Sequence, residues 1–183
     1  MISILLISYL FTFSLLLNAQ STPIEGSKLN YRLIGISFSA KQGANKYKID
    51  IASGDYNSEI NFNDNIIQRI YCTKNKVIAE VPSFGSKYTW RVTCYIGKKT
   101  ISENIFHHFS TLPLLQADLD ISRLRILEDN GMHSDAYVFL DGNRALYDMK
   151  GNEIWFLPEN DDMQPLNSPL RDLKLFPKGT LLF

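Results

Sequence analysis

Two segments, ALYDMKGNEIWFLP (145–158) and RDLKLFPKGTLLF (171–183), each place a compact turn between two short apolar runs. In the first, Asp148 and Gly151 stand at positions one and four of a four-residue turn, the pattern of a type I turn. In the second, Phe176-Pro177-Lys178-Gly179 repeats that chemistry with proline at position two. Two hairpins sharing one turn chemistry, joined by ENDDMQPLNSP (159–169), confine this part of the chain to a repeated antiparallel architecture. The runs AYVFL (136–140), RALY (144–147) and EIWFL (153–157) are nearly continuous in apolar residues. They predict strands covered on both faces, as in a propeller blade stacked between neighbours. A lone hairpin is marginal in water, and so few strands cannot close a ring. The expectation is the first strands of an incomplete β-propeller over residues 136–183, with the remainder lying beyond Phe183.

Upstream, the texture is that of short alternating strands. KYKIDIAS (46–53) puts Tyr47, Ile49 and Ile51 on one face and Lys46, Lys48 and Asp50 on the other. KVIAEV (76–81) follows, then the turn-rich PSFGSK (82–87). YTWRVTCYI (88–96) sets Tyr88, Trp90, Val92, Cys94 and Ile96 against Thr89, Arg91, Thr93 and Tyr95. FHHFST (106–111) closes the run before Pro113. No helix is predicted between residues 31 and 111, and the strand spacing argues for a β-sandwich over residues 30–112. Residues 21–29 read as a flexible lead-in. Residues 113–135 read as a linker with one strand, SRLRIL (122–127), and a polar loop. The fold class expected for the whole chain is therefore all-β.

Residues Ile2–Leu17 are almost wholly apolar, and small residues follow near Ala19 and Gln20. About sixteen apolar residues fall short of the roughly 20 that cross a bilayer. Residues 1–20 are read as a secretory signal peptide, giving a secreted or periplasmic protein, with an uncleaved membrane anchor as the other reading. Nineteen basic against nineteen acidic residues leave a formal net charge of zero, so no overall basic field recruits nucleic acid. Two widely spaced cysteines and three histidines offer no zinc spacing. No phosphate-binding glycine loop and no Gly-x-Ser-x-Gly elbow occurs, and no cofactor is expected. Cys72 and Cys94 both share faces with apolar residues. In an oxidising compartment they form either a disulfide, adding on the order of 3 kcal/mol, or two buried thiols.

LYDMKGNEIWFLP (146–158) followed by RDLKLFPKGT (171–180) resembles the start of the catalytic propeller of bacterial aryl-sulfate sulfotransferases. The matching positions are Tyr147, Asp148, Gly151, Trp155, Arg171, Asp172 and Gly179. The upstream order also resembles a fibronectin type III-like domain. There Tyr88 takes the place of a tyrosine whose hydroxyl ties down the preceding loop. Together these resemblances imply a fibronectin type III-like β-sandwich followed by an incomplete propeller. The implied activity of the full-length form is sulfuryl transfer, independent of PAPS, from an aryl sulfate to a phenolic acceptor, with a propeller histidine as carrier. Cationic donors must be preplaced around a transferring sulfuryl group, and a neutral imidazole is a competent nucleophile. The family's catalytic histidines fall in later blades, so none of His107, His108 and His133 is carried over and the chain as given is expected to be inactive. A homodimer is a further partner expectation.

Each singled-out residue also has a plainer role. His107 reads as a satisfied core or interface histidine, and Tyr147 and Trp155 as packing aromatics. Arg171 and Asp172 read as a structural ion pair or a turn-capping pair, against a reading in which Arg171 faces the propeller funnel, and the run Glu159, Asp161, Asp162 reads as a solvated loop. The competing functional reading is an exported, non-enzymatic sandwich module for adhesion or glycan binding.

Overall fold

The computed structural model of the protein describes residues 21–102, 105–114, 124–128, 136–140 and 143–157, together with the backbone of 174–176 and 180–182. The proposed signal peptide (1–20), His133, the acidic run at 159–162, Arg171, Asp172 and the 177–179 turn with Gly179 lie outside the described residues.

The described chain is all-β apart from one short helix. In order it forms β1 (Ser27–Leu29), β2 (Leu33–Ser37), β3 (Lys46–Ser53), α1 (Glu59–Asp64), β4 (Ile66–Cys72), β5 (Lys76–Glu80), β6 (Lys87–Ile96), β7 (Lys99–Ser102) and β8 (His107–Thr111). A second group follows: β9 (Tyr137–Leu140), β10 (Ala145–Asp148), β11 (Glu153–Phe156), β12 (Lys174–Phe176) and β13 (Thr180–Leu182). The largest sheet runs β1-β8-β6-β3-β4, with β7 also paired to β6; β2 and β5 make a two-stranded sheet.

The alternation in KYKIDIAS and YTWRVTCYI sets which face each strand buries. Tyr47, Ile49 and Ile51 of β3 and Tyr88 and Trp90 of β6 meet Ile34 and Ile36 of β2 and Ala79 of β5 in one core. Phe109 of β8 stacks on Tyr88 at 5.3 Å, and Phe38 meets Tyr47 edge-on at 5.0 Å. Each large apolar side chain so buried contributes about 1.5–3 kcal/mol.

Two expectations for this region are corrected. Residues 59–64 form α1 where no helix was predicted. Six residues are too few to show a helical period, and the helix is held by packing rather than propensity. Its Phe62 is fully buried, 5.0 Å from Phe106 and beneath the Arg91 guanidinium at 4.8 Å. The lead-in at 21–29 is partly structured: β1 runs parallel to β8, with Ser27 opposite Phe109, and Thr22 bridges Ser37.

In the second group, β9, β10 and β11 form an antiparallel meander, and β12 pairs with β13 through Phe176 and Thr180. The Asp148 turn closes as expected. The Gly151 N–H donates to the Asp148 carbonyl at 3.0 Å, and Asp148 Oδ1 accepts from the Lys150 and Asn152 N–H groups at 2.9 and 2.8 Å. The expected burial on both faces is corrected: Ala145, Tyr147, Ile154 and Phe156 are buried while the other residues of β10 and β11 are half-buried, and Tyr137 and Val138 are exposed. Only one face has a partner layer among the described residues. Of the strand expected at 122–127, the described residues 124–128 form none; Leu124 instead packs on the cluster around Tyr147.

The meander is seated on the two-sheet unit by the segment Asn30–Arg32. The Arg32 N–H donates to the Ile154 carbonyl at 2.9 Å, and the Phe156 N–H donates to the Asn30 carbonyl at 3.1 Å. Asn30 Nδ2 returns a bond to the Phe156 carbonyl at 2.7 Å. Phe84 meets Phe156 edge-on at 5.2 Å.

Gly151 has φ of +84°, and a Cβ placed there would lie 2.7 Å from the Leu124 backbone oxygen. Gly151→Ala therefore combines left-handed strain with a backbone collision, and is expected to cost about 2–3 kcal/mol. A lowered urea midpoint checks this; an unchanged midpoint would show that the hairpin does not contribute to the cooperative fold.

Candidate functional site

Three polar constellations stand out among the described residues, the first assembled by strand register and the other two by loops that reach a strand. The first lies on the outer face of the large sheet. Register places Asp50 of β3 between Arg69 of β4 and Arg91 of β6. Asp50 is fully buried, with Arg69 Nε at 2.7 Å on one oxygen and Lys48 Nζ at 2.9 Å and Arg91 at 3.6 Å on the other. Burial alone would raise its carboxyl; hydrogen bonds from Arg69 and Lys48 outweigh that and hold it below the usual carboxylate range. Arg91 continues outward to Glu59 Oε1 at 3.1 Å and Asn63 Oδ1 at 3.0 Å on α1. The network fastens the helix to the sheet.

The second constellation is the histidine pair. His107 stacks on Trp90 with ring centroids 4.4 Å apart. Its burial holds the imidazole below the ordinary value of 6.5, with the nearby Glu25 opposing. His108 points to the other face. Its Nδ1 lies 2.7 Å from Glu25 Oε1, and its Nε2 lies 3.0 Å from the Tyr56 carbonyl and 3.7 Å from Asp55. Burial lowers the tendency of His108 to protonate, but the Tyr56 carbonyl and the Glu25 carboxylate outweigh it and raise the imidazole above 6.5. The charged form of His108 thus ties the chain before β1 to the loop before α1. Both nitrogens are engaged, so this ring is a structural cation rather than a nucleophile poised over substrate.

The third is the seat of the meander. Arg32, only 8% exposed, donates from Nε to the Glu153 carbonyl and from a terminal nitrogen to the Pro82 carbonyl, each at 2.8 Å. Its other terminal nitrogen meets Glu80 Oε1 at 3.0 Å. Tyr147 is buried; its hydroxyl donates to Glu153 Oε1 and accepts from Asn143 Nδ2, both at 2.9 Å. Burial and the adjacent Glu153 push its phenol up to about 12, so it stays protonated.

Among the residues on which the expected sulfotransferase resemblance rests, Tyr147, Asp148, Gly151 and Trp155 come together in one hairpin. Asp148 caps the turn, Gly151 supplies its left-handed residue, and Trp155 is half-buried opposite Leu146. Arg171, Asp172 and Gly179 lie outside the described residues. Tyr88 does tie its preceding loop: its hydroxyl donates to the Ser83 carbonyl at 2.9 Å and accepts from the Ser83 N–H at 3.1 Å.

The disulfide reading is corrected. Cys72 and Cys94 are both thiols. They stand opposite Tyr47 on its two sides, with β3 between them. Two strand spacings of about 4.8 Å separate them, beyond the roughly 7 Å that a disulfide spans. Burial raises the Cys72 thiol above its ordinary value, with a bond to the Lys74 carbonyl opposing.

Strand alternation placed Asp50 and Arg91 on polar faces without assigning them partners, and it gave Arg32 no role. For Asp50 and Arg91 the signal was present, a charge within an alternating strand facing a second charge at the matching register; Arg32 precedes β2 and carried none. Which partner each would meet was decided by strand order. Among the described residues, no group of three or more His, Cys, Asp and Glu side chains is disposed to hold a metal ion. No protein-family model, curated protein or solved structure matches the chain.

The two histidines titrate on opposite sides of 6.5. The stability His108 contributes is fully present below 6.5 and is lost as pH rises through its raised folded value. His107 does the reverse: its contribution is present above 6.5 and is lost as pH falls through its lowered folded value. His108→Gln is expected to flatten the loss of stability above pH 6.5 and leave the acid limb intact, read from urea midpoints across pH 5–8. For the thiols, denaturation without reductant followed by iodoacetamide should label both cysteines in intact-mass spectra. A species resistant to labelling until reduction would overturn the strand order assigned here.

Proposed function

We propose that the chain is the N-terminal scaffold of an exported aryl-sulfate sulfotransferase-like protein, a fibronectin type III-like sandwich that seats the first strands of a propeller. The observation that carries this reading is the pair of successive antiparallel hairpins, β10–β11 and β12–β13, the first bonded through its Asp148–Gly151 turn. The seating by Arg32 and Asn30 supports a sandwich serving as the base on which blades are laid. In the full-length form the activity is transfer of a sulfuryl group from an aryl sulfate to a phenol. The chemistry resides in propeller histidines; His107 and His108 are committed to packing and to an ion pair. The described part contributes position rather than reacting groups, in line with electrostatic catalysis depending on rigidly held donors.

The test uses p-nitrophenyl sulfate as donor and phenol as acceptor. The recombinant 183-residue chain is expected to release no p-nitrophenol above background. The polypeptide isolated from its native source through an antibody against the sandwich is expected to transfer sulfate to phenol. Transfer by the 183-residue chain itself would overturn the scaffold assignment. Absence of transfer by the native polypeptide would overturn the sulfotransferase reading and leave the non-enzymatic binding module in its place.

A further inference from the structure

The net charge of zero conceals a strong polarity. The loop between β2 and β3, the β4–β5 turn and the β6–β7 turn all lie at one end of the two-sheet unit, because Tyr47 faces both Cys72 and Cys94 and Ser37 faces Lys76. That end carries Lys41, Lys46, Lys74, Lys76, Lys98 and Lys99, all exposed. Residues 38–49, 70–79 and 92–102, which form it, contain no Asp or Glu. The end is also built rather than loose. Asn75 and Phe38 exchange bonds, with Nδ2 donating to the Phe38 carbonyl at 2.8 Å and the Phe38 N–H donating to the Asn75 carbonyl at 3.1 Å. The Asn45 N–H donates to the Tyr95 carbonyl at 3.1 Å.

An open cleft of about 550 Å³ lies in this end, lined by Asn45, Lys46, Tyr71, Thr73 and Tyr95. The Tyr71 ring is 54% exposed, and the Lys46 ammonium sits over it at 4.6 Å. Ring and cation thus form one surface, with the ammonium over one face of a ring that stays largely open to solvent. The meander is seated at the opposite end, through Arg32 before β2 and Pro82 after β5, so it leaves the cleft uncovered.

We infer that this lysine-rich end, centred on Tyr71, Lys46 and Tyr95, is a binding site for an acidic polysaccharide. The aromatic ring offers a platform for a sugar's C–H face, the amide and hydroxyl of Asn45 and Thr73 offer polar partners for its hydroxyls, and the surrounding lysines meet its sulfate or carboxylate groups. Charge complementarity selects a polyanion. The six exposed cations are lysines, point charges suited to spaced anionic groups rather than to the bidentate recognition that arginine gives. The loop tips, SAKQGAN (39–45), TKN (73–75) and GK (97–98), carry no large apolar side chain to enter a bilayer. The inference is independent of the sulfotransferase reading, since it concerns the end away from the β9–β11 meander.

The test is binding of the full chain to dextran sulfate, alginate, neutral dextran and a single-stranded oligothymidylate, by biolayer interferometry at 50 and 300 mM salt. Binding to dextran sulfate or alginate is expected, weakened at higher salt, with none to neutral dextran; the preferred polymer tells sulfate from carboxylate. The double variant K98E/K99E should weaken binding about tenfold with its urea midpoint unchanged, as expected for surface charges. Tyr71→Ala should weaken binding at both salts alike. Equal binding of neutral dextran, tighter binding of the oligothymidylate, or full affinity in K98E/K99E would each overturn the assignment.

Discussion

Arg32 holds the two halves of the described molecule together. A buried guanidinium has five donors to satisfy, and leaving them unmet would cost several kcal/mol. Here they reach the Glu153 carbonyl of β11, the Pro82 carbonyl after β5 and the Glu80 carboxylate, three partners from separate parts of the chain. The main chain of Arg32 is used on both sides as well: its N–H donates to the Ile154 carbonyl and its carbonyl accepts from the Val81 N–H at 3.0 Å. The meander and the two-sheet unit thus share an edge through one residue. The aromatic contact of Phe84 with Phe156 adds an apolar seal beside it.

A second consequence of buried charge is the outer face of the large sheet. An antiparallel sheet ordinarily leaves that face to water. In β6, Thr89, Arg91 and Thr93 are buried on it along with the residues of the inner face. The Tyr56 loop and α1 cover the first two: the Tyr56 N–H donates to Thr89 Oγ1 at 3.0 Å, and Arg91 reaches Glu59 and Asn63. Asp50 makes this burial tolerable by giving the cations a common counter-ion. The same sheet therefore has a covered polar centre and, toward the turns at its other end, a lysine rim that is exposed among the described residues.

This division separates tasks along the long axis of the two-sheet unit. One end is spent on joining the meander and is dominated by shape and backbone bonding. The other carries the exposed lysines and is dominated by charge. Between them, His107 and His108 sit in adjacent positions of β8 yet have opposite titration tendencies, because alternation sends one onto Trp90 and the other to Glu25.

Much of this was legible in the chain itself. Alternation over residues 46–53 and 88–96 determined which side chains face the core, because the period of a strand is local and burial follows it. The Asp148–Gly151 turn was readable for the same reason, since its hydrogen bonds lie within five residues. A tie from Tyr88 to the loop before it was implied only by the fibronectin type III-like resemblance; that it reaches Ser83 came from the structure. Quantities set by strand order were not. That Cys72 and Cys94 both face the core could be read from alternation; that β3 stands between them and keeps them apart is decided by pairing across the sheet. Likewise α1 exists because Arg91 and Phe106 wait for it, and Arg32 is an anchor only because β11 arrives at its side. The lysines of the polar end are scattered over residues 41–99 and balanced by acids elsewhere, so composition showed neutrality. Only the folding of three separate turns to one end gathers them, since the field of a charge depends on distance in space and not along the chain.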